Sequence, residues 1–111
     1  MSTSSTIERR THLRAYAYGK ACTVAIRGLK HQVDLIDISP GGSRLRFTAG
    51  AVPEMEQNEV LTLSCDDPSL SALLDAISAE VRWQSPSEIG VRFLKELPMG
   101  TSDIQRLITL E

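Results

Sequence analysis

The feature that most constrains this chain is a recurrence of short apolar runs at period two, separated by turn-forming residues. Such alternation puts one side chain into a core and the next into solvent, which is the pattern of a half-buried β-strand. From Lys20, Cys22, Val24 and Ile26 alternate with Ala21, Thr23 and Ala25, and Gly28 with its charged neighbours is a hairpin signal. Val33 to Ile38 is a second run; its apolar residues do not alternate strictly, as in a strand covered on both faces. Leu45 and Phe47 alternate with Arg44 and Arg46, giving a third strand with a wet, basic outer face. Leu61, Leu63 and Cys65 mark a fourth, Ala79, Val81 and Trp83 a fifth, and Val91 and Phe93 after Gly90 a sixth. Six short strands with regular turns predict an all-β fold, a small antiparallel barrel or sandwich. Closure into a barrel also removes exposed strand edges.

Two segments depart from period two. Leu70, Leu73, Leu74 and Ile77 fit a helical stripe that Pro68 and Ser69 could start, against a long loop running into the fifth strand. A short helix or irregular loop is expected over residues 69–75. At the carboxyl end, Ser102-Asp103-Ile104-Gln105 matches a capping box, and Ile104, Leu107 and Ile108 share one face. That predicts a terminal helix over residues 102–110. Residues 1–7 read as a disordered tail and residues 8–111 as one domain, since 111 residues suffice for one core and not two.

Composition then excludes several functions. No apolar run approaches the ~20 residues of a membrane span, and the polar start lacks a secretory core. A cytoplasmic protein is expected, with no membrane insertion and with Cys22 and Cys65 as reduced core residues. The net charge of −2 hides an asymmetry: residues 1–50 carry 8 Lys and Arg against 3 Asp and Glu, residues 51–111 carry 4 against 11. A basic amino-terminal half on an acidic chain suggests a local anion site rather than a nucleic-acid binder. His12 and His31 have no partners at metal spacing, and Asp66-Asp67 runs straight into Pro68 as a turn would. No nucleophile elbow, phosphate loop or dinucleotide fingerprint is present, so neither an enzyme nor a metal site is expected.

Two polar clusters remain. Arg9, Arg10 and Arg14 lie before the first strand. Guanidinium groups hold phosphate in a bidentate fork and stack on planar bases. Asp37-Ile38-Ser39-Pro40-Gly41-Gly42 joins the second and third strands. Pro40 fixes its own φ, and Gly41 can take the positive φ of a type II turn. A carboxylate there can accept from the N1–H and amino group of guanine. A hydroxyl and free turn N–H groups can bind phosphate or a base edge.

Together the clusters resemble the PilZ domain family. Arg10-Thr11-His12-Leu13-Arg14 matches its RxxxR motif and Asp37 to Gly42 its [D/N]xSxxG motif, at an interval typical of the family. Val81-Arg82-Trp83 and Gly90-Val91-Arg92-Phe93 look like its last two strands. The resemblance implies a six-stranded antiparallel split barrel with a carboxyl-terminal helix, and cyclic di-GMP as ligand. It implies ligand contacts from Arg10, Arg14, Asp37, Ser39, Gly41 and Gly42. Arg9 would add a further contact, in a position that bears on whether one or two ligand molecules bind. It further implies an adaptor, monomer or weak homodimer, that signals through a protein effector. The alternative is an interaction module of the same fold that binds no nucleotide.

Overall fold

The computed structural model describes residues 14–49 and 52–109; for Tyr18 it gives the backbone alone. The expected tail, with Arg9 and Arg10, lies outside the described residues. Six strands form a closed barrel: β1 (Ala15–Ile26), β2 (Leu29–Ser39), β3 (Gly42–Phe47), β4 (Val60–Cys65), β5 (Ile77–Gln84) and β6 (Glu88–Phe93). Their order around the barrel is β1-β2-β3-β6-β5-β4, and every pairing is antiparallel. One helix, α1 (Thr101–Thr109), follows and packs against β1 and β2. The all-β barrel with its terminal helix is the fold expected from the sequence.

The core fills from the alternating residues. Cys22, Val24, Ile26, Val33, Leu35, Leu45, Leu61, Leu63, Val81 and Val91 are all buried inside the barrel. Leu70 and Leu74, from the segment between β4 and β5, and Ile104 and Ile108, from α1, complete it. Burial of this kind is the main source of stability for a domain of this size.

The segment before β5 is an irregular series of turns, not a regular helix. The Leu74 N–H donates to the Leu70 carbonyl at 2.8 Å, and the Leu70 N–H to the Asp67 carbonyl at 3.0 Å. The Asp67 carboxylate accepts from the Ser69 N–H at 2.9 Å and its hydroxyl at 2.6 Å, which holds the chain in a turn.

Four local expectations need correction. β1 begins at Ala15, not Lys20; Ala15 and Ala17 are already buried, but residues 17–19 face Ile36 alone, and that irregularity hides the period. Gly19, with φ of 70°, takes up the distortion. Positive φ among the described glycines falls at Gly19 and Gly28, so the Ser39–Gly42 turn is not the type II turn for which Gly41 was read. Helix α1 starts one residue early: the Ile104 N–H donates to the Gly100 carbonyl at 3.1 Å, making Gly100 the cap and placing Ser102 inside the first turn. Trp83 does not enter the core; it is 46% exposed.

The two cysteines are core residues, as read, but they also face each other. Cys22 and Cys65 are register partners where β1 meets β4 to close the barrel, and both are buried free thiols. A hydrogen bond to Cys65, then burial, pushes the Cys22 thiol far above its ordinary range.

Candidate functional site

Strand register builds the site. In an antiparallel sheet, directly opposed residues share a face. Tyr16 opposes Asp37, Asp37 opposes Arg44, Arg44 opposes Gly90, and Gly90 opposes Trp83. These five residues form one row across the outside of β1, β2, β3, β6 and β5.

Two bulges put the chemically active members on that row. Between Leu35 and Asp37 the β2–β3 register shifts, with Ile36 the extra residue. An unbroken strand would send Asp37 to the inward face of Val33 and Leu35. The added residue reverses the alternation, so Asp37 meets arginines while Ile38 enters the core at 0% exposure. This also explains the irregular apolar pattern of the second run, which reflects a change of face and not cover on both faces. The β5–β6 register shifts in the same way between Val81 and Trp83, with Arg82 extra. Val81 points inward and Trp83, two residues on, points out.

Asp37 is held between two guanidiniums. Arg14 Nη1 donates to Asp37 Oδ1 at 2.7 Å. Arg44 Nε lies 3.4 Å from Asp37 Oδ2 and 3.8 Å from Glu88 Oε1. The Asp37 side chain is only 9% exposed, against 52% for Arg14 and 39% for Arg44. A carboxylate so covered needs compensating charge, and the two arginines supply it. The neighbouring outer-face arginines are otherwise engaged: Arg46 donates to Asp34, and Arg92 to Glu80.

Ser39 bonds within its own turn. Its hydroxyl accepts from the Gly41 N–H at 3.3 Å and donates to the Gly42 carbonyl at 3.4 Å. The side chain is buried and closes its own turn. The turn is also tied to the next strand: the Phe93 N–H donates to the Gly41 carbonyl at 2.8 Å and the Leu97 N–H to the Pro40 carbonyl at 2.9 Å. At Gly42 a Cβ would stand 2.3 Å from the Val91 carbonyl oxygen, so close packing of β3 on β6 requires glycine there.

The structure therefore brings Arg14 and Asp37 into contact, places Ser39, Gly41 and Gly42 in the adjoining turn, and adds Tyr16, Arg44, Gly90 and Trp83. Sequence reading missed those four as site residues. Counting outward from the Ser85-Pro86-Ser87 turn would not have found the pair: a hairpin centred on Pro86 sets Arg82 against Gly90, and the extra residue Arg82 moves Trp83 into that place. A glycine opposite an aromatic leaves the ring room to lie on bare backbone. A Cβ on Gly90 would stand 2.1 Å from Trp83 Nε1, so the indole covers that glycine.

Gly90→Ala should displace the indole without unfolding the barrel. The obstructing atom belongs to an exposed side chain, so the expected cost is about 1 kcal/mol. The tryptophan emission should shift as the ring leaves its seat. An unchanged emission spectrum would contradict this placement of the ring.

Among the described residues no three His, Cys, Asp or Glu side chains group to hold a metal ion, and no helix is long and apolar enough to cross a membrane.

The fold is a closed six-stranded antiparallel barrel with register irregularities in three strands, and Arg14, Asp37, Arg44 and the Ser-bridged Pro-Gly-Gly turn gather on its outer wall. The chain belongs to the PilZ domain family, whose model matches residues 8–110. Its fold is similar to the PilZ domain of YcgR from Escherichia coli, solved with c-di-GMP. The TM-score is 0.69 at 17% identity, covering 90% of this chain and 88% of that one. It is also similar to Borreliella burgdorferi PlzA in complex with c-di-GMP, with a TM-score of 0.60 at 13% identity, covering 96% of this chain and 44% of that one. No curated protein sequence matches it.

Proposed function

We propose that this protein is a receptor for cyclic di-GMP that works in the cytoplasm and passes the signal to a protein effector. The observation that carries the reading is the 2.7 Å contact between Arg14, of the arginine motif, and Asp37, of the turn motif. The two halves of the motif pair meet on one wall, in a row that runs on through Arg44 and Gly90 to an exposed indole. Membership of the PilZ family and the c-di-GMP in both structural neighbours support it.

The chemistry of the ligand suits the groups present. Two phosphodiesters call for guanidiniums, which Arg9, Arg10 and Arg14 provide. Guanine N1–H and its amino group call for an acceptor, which Asp37 provides. The base faces call for flat partners, and Trp83 and the arginine planes provide them. Ser39, with Gly41 and Gly42, keeps the turn in shape beneath the ligand. Phosphate competes with Asp37 for Arg14, so ligand entry exchanges an internal ion pair for an external one. The segment that carries Arg9 and Arg10 is then drawn onto the barrel, and the surface so formed is what an effector reads.

Calorimetric titration with cyclic di-GMP, with GMP and GTP as controls, tests the proposal. Saturable binding of cyclic di-GMP with a rise in Tm, and little heat from either control, is the expected result. A chain that gives neither heat nor thermal stabilisation with cyclic di-GMP is the non-binding interaction module instead.

A further inference from the structure

We infer that Asp37 and Arg44 act as one base reader, and that Arg44 makes the site choose guanine over adenine. This rests on the cyclic di-GMP reading above and deepens it.

The argument begins with the bases. The pairing edge of guanine shows an N1–H donor beside the O6 acceptor. Adenine shows the reverse, an N1 acceptor beside an N6 amino donor. A site that selects guanine at this edge needs an acceptor and a donor side by side, on groups that do not move.

Asp37 and Arg44 meet both needs. They are directly opposed in mid-sheet on β2 and β3, so the barrel wall fixes their backbones. Asp37 Oδ2 and Arg44 Nε are 3.4 Å apart, close enough to act on one base edge together. They do not saturate each other, because the buried Nε–H finds no hydrogen-bond acceptor among the described residues. A buried guanidinium N–H left without an acceptor is costly, and a carbonyl oxygen supplied to this arginine relieves part of that cost. Of the other described arginines on this face, Arg14 donates to Asp37, Arg46 to Asp34 and Arg92 to Glu80.

The row also provides a flat neighbour. Beyond Arg44 comes Gly90, which has no side chain and is covered by the Trp83 indole. A planar base seated against that ring would bring its edge to Arg44 and Asp37. In that pose the carboxylate accepts from N1–H and the guanidinium donates to O6. Adenine in the same pose sets its N6 amino group against the guanidinium and its N1 lone pair against the carboxylate.

The test is a titration of the full chain, Arg44→Gln and Arg44→Lys with cyclic di-GMP and, separately, cyclic di-AMP. A lost base-edge contact is expected to weaken cyclic di-GMP binding roughly tenfold to a hundredfold in Arg44→Gln. Binding of cyclic di-AMP should hold or improve, so the ratio of the two affinities falls. Arg44→Lys keeps the charge and should retain part of the preference. Melting curves without ligand separate these effects from unfolding, and Arg44→Lys serves if Arg44→Gln does not fold. Equal loss for both ligands would overturn the inference and reassign Arg44 to phosphate or to holding Asp37. An unchanged ratio with unchanged affinities would overturn it as well. If the unaltered chain binds neither ligand, the receptor reading itself fails and this inference falls with it.

Discussion

Arg14→Ala should lower the affinity for cyclic di-GMP tenfold to a hundredfold or more and leave the barrel almost as stable as before. The two effects separate because Arg14 is exposed and Asp37 is not. Hydrogen bonds to charged groups contribute about 1.5–3 kcal/mol each when made to a ligand. The same side chain, half in water, adds less than about 1 kcal/mol to the fold through its pair with Asp37. Asp37 also keeps its second partner, since Arg44 Nε stays 3.4 Å from Oδ2. Calorimetry gives the affinity and a melt without ligand gives the stability. Unchanged affinity would remove Arg14 from the ligand site. A melt many degrees lower would make it a structural residue.

Gly42→Ala should do the opposite and act through the fold. Its Cβ would stand 2.3 Å from the Val91 carbonyl oxygen and 3.3 Å from the Arg92 Cα. Both are backbone atoms of β6, so relief requires parting two strands of a closed barrel. The turn cannot drift to make room, because Gly41 and Pro40 each accept a backbone hydrogen bond from the Phe93–Leu97 stretch. A destabilisation of about 3 kcal/mol or more is expected, near the upper end for one substitution. That corresponds to a fall in Tm of roughly 10–20 °C. A Tm within a few degrees of the unaltered chain would show that β3 and β6 can separate cheaply. The comparison with Gly90 is instructive: there the obstacle is a side chain that can swing away, and the penalty is small.

Both glycines were visible in the sequence, but the reasons they are glycine were not. Gly42 reads there as a ligand contact; in the fold it is also the place where two backbones nearly touch. Gly41 reads as the positive-φ residue of a type II turn, and positive φ falls elsewhere, at Gly19 and Gly28. Ser39 reads as a hydroxyl at the turn mouth, and in the fold it bonds within that turn. In each case the residue type allowed more than one contact, and the folded surroundings decided which one formed.

Local pattern by itself determined the six strands, the glycine hairpin at Gly28, the terminal helix to within a residue and the two motif clusters. Period-two alternation and turn residues act over a few neighbours, so they can be read along the chain. What only the tertiary structure decided is which way three stretches face. One added residue at Ile36 and one at Arg82 reverse the alternation beyond them, and three residues against one do the same office in β1. A bulge exists only as a mismatch between two paired strands, so no single strand announces it. Those mismatches turn Asp37 and Trp83 outward and set them in line with Arg44, while Ile38 and Val81 stay in the core. The motifs name the residues of the site; the register of the barrel makes them one surface.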